Sequence, residues 1–496
     1  MFDKLKRKVK NLKDNNDNND NESLPEFSEA GKVSKREIYR NRYNFGVNFG
    51  SLFVQESYIY HSLFSEGGDN EYEAISALVA KSSSEEVAKK LQEHYTSYVT
   101  DQDWEWLQKE AGVTAIRLPI GYWHVDNGAY IANNMKFHDL KAVYQAAKPW
   151  DVVGSIVKKA AQYNIGVLVD IHGVPGGANN DAHSGESNNG QASFFATGDF
   201  VSSVVDEIVP FIVKDLCQPN ENVIGLQVIN EAAFSDSAKP EKKFYFKVIS
   251  AVQNVDDTLP VVISDGWWPQ QWADWLEENN LSNSVVIDSH VYRCFSDSDK
   301  KKTAGQIIDD LPQSVNFAND KADYMVGEFS CVLDGQTWDK TKESRQECVR
   351  KFGQEQARVF QDKASWGWFF WTFKFQEGDG GEWGFQPMIN SGSLPKRPRV
   401  DPVIDDEKVQ QVINDHVNYW KDKGGDKLEH WRFEEGLKTA IADIRSFNEF
   451  DHSRVGRTHF IKSVRKSQHT ADKGSGEYVW EWEQGYDQGL AVFNKY

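Results

Sequence analysis

Eight short apolar runs, separated by stretches of helical periodicity, constrain the fold of this chain more than any other feature. They are Asn44–Phe49, Thr114–Pro119, Val167–His172, Val223–Glu231, Val261–Asp265, Val285–Tyr292, Tyr324–Phe329 and Gly367–Phe373. Each is long enough for one strand, and the apolar residues run on rather than alternate, as in parallel strands covered on both faces. Helical patterns lie between them, including Trp104–Ala111, Val152–Tyr163, Phe200–Leu216, Phe244–Val255 and Gln346–Gln361. Eight strand-helix units predict an α/β fold, a (β/α)8 TIM barrel over residues 36–400. Periodicity alone also admits a doubly wound open sheet.

The barrel reading carries its own test, because the chemistry of such barrels sits at the C-terminal ends of the strands. Polar and titratable residues gather there: Arg117, His172, Asn230 and Glu231, Asp265, His290 and Tyr292, Glu328, and the ring of Trp371. Glu231 ends the fourth strand and Glu328 the seventh, so both face the same mouth.

Two carboxylates across a cleft are what glycosidic bond cleavage requires: one supplies a proton to the leaving oxygen, the other attacks the anomeric carbon or activates water. Arg117 and Tyr292 are placed to hold Glu328 ionised and aimed. Glu231 has no cation beside it in sequence, so burial and the charge of Glu328 are expected to keep it protonated. Asn230 is positioned to donate to a sugar 2-hydroxyl. His172 and His290 are expected to bind hydroxyls or tune Glu231, and Trp371 to lie under a sugar ring. Other chemistries lack their patterns: there is no H-E-x-x-H or G-x-S-x-G, and Gly173–Asn180 lacks the G-K-[ST] ending of a phosphate loop. The polar stretch HSGESNNG (183–190) reads as a loop.

Composition narrows the partners. A net charge of −19 argues against nucleic acid, and 17 Trp supply flat surfaces on which sugars stack. The four Cys have neither metal-knuckle nor disulfide-framework spacing.

The segments GVNFGSLFVQESYI, IRLPIGYW, VDIHGVPGGANNDAHSG, VIGLQVINE, DSHVYRCF, VGEFS and GWFFWTFK together resemble glycoside hydrolase family five, and within it the fungal exo-β-1,3-glucanases and related β-glucosidases. The likeness spans about residues 44–400. It implies a retaining double displacement on terminal β-glucosyl residues with no metal or cofactor. By matching motif, it implies Glu231 as acid/base and Glu328 as nucleophile, with Arg117, His172, Asn230, His290, Tyr292 and Trp371 around them. Glu56 matches a glutamate that the exo-glucanases use on the terminal glucose, and Phe295 an aromatic residue at their cleft entrance. The family's usual Asn-Glu-Pro is Asn230-Glu231-Ala232 here. The expected substrate is a β-glucoside, a β-glucan or a glycolipid such as a steryl glucoside. A carbohydrate-binding barrel with little catalysis is the alternative of another class.

Residues 1–30 form a separate segment. Phe2, Leu5, Val9 and Leu12 recur at helical spacing among Lys4, Lys6, Arg7, Lys8, Lys10 and Lys13, followed by the low-complexity run DNNDNNDNE. Residues 1–13 are expected to dock reversibly on an anionic membrane surface, to target an organelle, or to remain a solvated tail. No apolar signal core follows them, so the expectation is a cytoplasmic protein, peripheral to a membrane if the segment docks. Residues 401–496 read as a helical extension with an internal repeat: WRFEEGLKTA (431–440) and WEWEQGYDQG (480–489) share W-x-[FW]-E-[EQ]-G-[LY], then a small residue. Each copy is expected to start a helix whose small residues allow close packing and whose rings bury against the barrel or a partner.

Overall fold

The computed structural model describes residues 24–186, 191–233, 235 and 237–495, so the basic segment over residues 1–13 lies outside the described residues. Eight strands close into one parallel barrel in chain order: β1 (Asn44–Asn48), β2 (Ala115–Gly121), β3 (Gly166–Gly173), β4 (Val223–Gln227), β5 (Val261–Ser264), β6 (Val285–Val291), β7 (Asp323–Phe329) and β8 (Gly367–Phe370). The closed ring, rather than an open sheet, resolves the choice that periodicity left.

The interior is layered. Ala115, Leu168, Ile224, Val262, Val286, Met325, Trp366 and Phe369 fill the lower half, plugged from beneath by Tyr39. Above this apolar floor the inward positions turn polar, with Asn48, Arg117, Asp170, Gln227 and Asp288 all buried. The outer face of the strands packs on the surrounding helices through one continuous apolar cluster.

The element ends differ from expectation where local chemistry intervenes. The fourth strand stops at Gln227, not Glu231, and Glu231 itself adopts φ 41°, a left-handed conformation outside any β-ladder. The eighth stops at Phe370 rather than Phe373. The helix expected over 200–216 is wound in π turns at Val204–Ile208 and Val213–Cys217, on either side of Pro210, whose nitrogen cannot donate. The helix of Trp104–Ala111 begins at Asp101 and is a π turn over Trp106–Ala111. The long connection after β1 holds helices Glu71–Lys81 and Ser84–Ser97, the latter capped by the Ser83 side chain.

Helix α1 (Lys35–Asn41) precedes the barrel, and four helices follow it: α2 (Asp406–Trp420), α3 (His430–Asp451), α4 (Thr458–Lys473) and α5 (Val479–Phe493). The repeat starts α3 and α5, which pack directly on each other. A Cβ on Gly436 would lie 2.1 Å from the carbonyl oxygen of Trp482, and one on Gly485 2.0 Å from that of Phe433. Each copy thus contributes the glycine over which the other copy's backbone passes. The rings of Phe433 and Trp482 are buried in a core of this module's own, with Leu437, Ile461 and Tyr486 and with Ile38 of α1. The repeat therefore buries its rings mainly within the module rather than against the barrel wall.

The module docks on the barrel's lower face. Asp323, the first residue of β7, accepts at 3.1 Å from the backbone N–H groups of His459 and Phe460, capping α4 from another element. Arg42 pairs with Asp451 at 2.9 Å.

Replacing Gly485 by Ala is expected to lower the unfolding free energy by about 2 kcal/mol through backbone overpacking. Gly305→Ala, whose Cβ would meet nothing nearer than 3.9 Å in helix Ala304–Ser314, is expected to be neutral or to add up to about 1 kcal/mol. Chemical denaturation of the two variants beside the wild type reads both.

Candidate active site

Arg117 stands at the centre of the upper barrel, fully buried. Its Nε donates to Gln227 Oε1 (2.9 Å), Nη1 to Asn48 Oδ1 (2.9 Å) and Glu328 Oε1 (2.7 Å), and Nη2 to Asn230 Oδ1 (2.7 Å). Nη2 also pairs with Asp170 at 3.0 Å. Burial works against this charge, but Asp170, Glu328 and Asp288 together hold the guanidinium more firmly protonated than usual. Glu328 receives a second bond on its other oxygen, from the Tyr292 hydroxyl at 2.9 Å. Both donors point at lone pairs of the carboxylate, so Glu328 is fixed in position and orientation, as expected.

Two strands carry the same Asp-x-His device. Residues two apart on a strand face the same side, so Asp170 lies beside His172 and Asp288 beside His290. His172 Nδ1 is 2.7 Å from Asp170 Oδ2, and His290 Nε2 is 3.0 Å from Asp288 Oδ2. Asp288 also accepts from Gln227 Nε2 (2.8 Å) and from the Gly327 N–H (2.7 Å). Gly327 is required there, since a Cβ would fall 2.2 Å from Asp288 Oδ1. Neither aspartate stands out in sequence by type, although the D-I-H and D-S-H spacing carries the signal.

Glu231 is surrounded differently from expectation. His290 Nδ1 lies 2.6 Å from its Oε1, and His183 Nε2 lies 3.0 Å from its Oε2. Burial pushes the carboxyl up, but the two imidazoles outweigh it and hold Glu231 well below the usual carboxylate range. Burial disfavours a charged His183 in turn, yet Glu231 raises it to about 9. The expectation that Glu231 lacks a cation and stays protonated by burial is thus corrected. The neighbour comes from the loop after β3, where His183 sits in the stretch read only as a polar loop.

One oxygen of Glu231, one of Glu328 and a His290 ring nitrogen lie within 4.8 Å of one another. His290 Nδ1 is also 3.5 Å from Glu328 Oε2, so it bridges the two carboxylates. These three groups, or Asp181, His183 and Glu231, have the donor types to hold a divalent ion. In the first set Arg117 already neutralises Glu328.

The remaining expected residues surround this centre. Asn230 is 1 % exposed, holds Arg117, and has its Nδ2 3.4 Å from His172 Nε2. His172 thus contacts Asp170 and Asn230 rather than Glu231. The Trp371 ring lies parallel to His172, centroids 6.0 Å apart, and its Nε1 donates to the Tyr58 hydroxyl at 2.6 Å. Glu56 lines the cleft, and burial raises its carboxyl to about 8. Phe295, 62 % exposed, stands at the mouth beside Tyr292 and Trp383. Sequence reasoning missed Tyr58 and Trp383 because both belong to irregular segments without periodicity.

The whole cleft has a volume of about 1130 Å³. The exposed rings of Trp267 and Trp268, and Phe317, also line it. Asp265 holds that edge: Oδ1 accepts from the Trp267 N–H (2.8 Å) and Oδ2 from Ser289 Oγ (2.6 Å).

Comparisons with known proteins bear on the family and the fold. Residues 79–377 match the sequence profile described as cellulase (glycosyl hydrolase family 5), and residues 404–496 that of the glucan 1,3-beta-glucosidase 3 C-terminal domain. An uncharacterized glycosyl hydrolase of Saccharomyces cerevisiae is 50 % identical over 96 % of this chain and 95 % of its own. The glucan 1,3-beta-glucosidase 3 of Schizosaccharomyces pombe is 30 % identical over 84 % of this chain and 88 % of its own. The crystal structure of rutinosidase from Aspergillus niger shares the fold, with TM-score 0.54 and 20 % identity over 72 % of this chain and 99 % of that one. With a catalytic profile over more than half its length and a half-identical relative along nearly all of it, the chain belongs to glycosyl hydrolase family 5 and is a glycoside hydrolase.

Proposed function

We propose that the protein is a retaining β-glycosidase that removes terminal β-glucosyl residues, with Glu328 as nucleophile and Glu231 as acid/base. The observation that carries this reading is the approach of the two carboxylates, with oxygens within 4.8 Å. An inverting pair stands roughly 6.5–9.5 Å apart to admit a water between its members. Here Glu328 attacks the anomeric carbon while the bond to the aglycone oxygen breaks, and Glu231 protonates that oxygen. A glucosyl ester on Glu328 results. In the second half, Glu231 takes a proton from water, the hydroxide attacks the same carbon, and the ester bond breaks. Arg117 and Tyr292 orient the nucleophile, and His183 stores the proton that Glu231 spends. Glu56, protonated in its buried setting at neutral pH, donates to a hydroxyl of the terminal sugar, with Trp371 beneath that ring.

A glycolipid or aryl glucoside fits this site as well as a glucan does. The support is the belt of Trp267, Trp268, Phe295 and Phe317 lining the cleft, whose rings offer a face to an apolar aglycone as to a sugar. A cytoplasmic location at a membrane surface accords with such a substrate.

Glu328→Gln is expected to lower turnover of an aryl β-glucoside by roughly 10³-fold or more. Glu231→Ala with azide is expected to release the β-glucosyl azide; formation of the α-azide would mean inversion and would refute the mechanism. The wild-type kcat/KM should fall as pH rises through about 9, where His183 loses its proton. In His183→Asn the alkaline limb should move to lower pH by about 1–2 units. Trp267→Ala should raise KM for a steryl or aryl glucoside several-fold while leaving that for methyl β-glucoside within about twofold.

A further inference from the structure

A second cluster of titratable side chains lies in the C-terminal module, where the hydrolytic mechanism has no use for it. His416 from α2, His430 at the start of α3 and Glu481 in the first turn of α5 point at one spot. His416 Nε2 is 3.0 Å and His430 Nδ1 2.8 Å from the same oxygen, Glu481 Oε2, and the two nitrogens are 3.2 Å apart. Glu481 has no exposed surface, and no Lys or Arg pairs with it among the described residues.

A hydrogen-bonded network explains this triangle poorly. Oε1 of Glu481 is occupied by the Glu429 N–H at 2.7 Å, which leaves Oε2 alone to meet both imidazoles. If both nitrogens carry protons, two N–H dipoles crowd one oxygen and each other. If one is bare, its lone pair competes with the carboxylate for the other's proton. A dication satisfies all three lone pairs at once and neutralises the buried carboxylate. The dimensions fit: a tetrahedral zinc with bonds of about 2.0–2.1 Å sets its ligand atoms roughly 3.3 Å apart, a small expansion of the triangle.

We propose that His416, His430 and Glu481 form a zinc site that clamps α2, α3 and α5 together. Two imidazoles and one carboxylate suit zinc better than the oxygen-seeking calcium or magnesium. The surroundings hold the ligands in place, as the second shell of a metal site does. Glu429 fixes the carboxylate, and the His416 ring stacks on Phe433 with centroids 3.9 Å apart. Gln484, one turn on from Glu481, sets the buried end of its side chain against the His416 imidazole and orients that ring. His430 is the exposed corner, its side chain 23 % accessible, and it leaves the fourth position to water.

The test uses the full-length chain, stripped with chelator and titrated with Co²⁺ and Zn²⁺. Expected are about one Co²⁺ per chain with the intense visible bands of a tetrahedral ion, displaced by Zn²⁺, and a thermal midpoint that rises by several degrees with Zn²⁺. Glu231→Gln, which removes the carboxylate shared by both active-site clusters, should keep both signals, whereas His430→Ala should lose both with its β-glucosidase activity intact. If His430→Ala does not fold, the Glu231→Gln chain decides alone. No cobalt bands and no zinc-dependent midpoint in the wild type would overturn the site, as would signals that survive His430→Ala or vanish in Glu231→Gln.

Discussion

Everything at the mouth of this barrel is referred to one buried guanidinium. Arg117 reaches residues on β1, β3, β4 and β7 and the turn after β4, so the strands that carry the two glutamates are fixed to a common point. Removing a charge from water is costly unless every donor is matched by an acceptor. The surrounding aspartates, amides and Glu328 supply those acceptors, and in return they are ordered. Preorganisation of this kind lets a site stabilise developing charge without reorienting dipoles during the reaction.

The two carboxylates are differentiated by their neighbours rather than by depth. Glu328 answers to a permanent cation and a phenol, groups that do not exchange protons near neutral pH. Glu231 answers to two imidazoles, whose ring nitrogens can pass a proton to it across the contact. Glu328 is therefore held by groups that keep their protons, while Glu231 sits among groups that can give one up. His290 couples them, since it touches both carboxylates and is itself held by Asp288.

The sequence reveals most of what is periodic and little of what is not. The strands are legible because they are buried on both faces and leave unbroken apolar runs, and Glu231 and Glu328 because they end such runs. The left-handed turn at Glu231 has no signature in an Asn-Glu-Ala sequence. His183 could not be assigned to the site because its loop has no period that would tell where it returns. The layer of Asn48, Asp170, Gln227 and Asp288 was hidden for another reason: single polar residues inside apolar runs look like tolerated exceptions until the barrel closes and brings them to one level. The glycines of the Trp-containing repeat, by contrast, announced the close helix crossing that α3 and α5 make.

One strand joins the two halves of the molecule. β7 begins at Asp323, whose carboxylate receives the first turn of α4, and its sixth residue is Glu328. Scaffold attachment and the candidate site are therefore built into opposite extremities of a single extended segment, separated by the apolar plug of the cylinder. Changes in how the appended helices seat themselves meet a rigid floor before they meet the sugar. Such a division leaves the underside free to diverge in sequence while the rim keeps its chemistry.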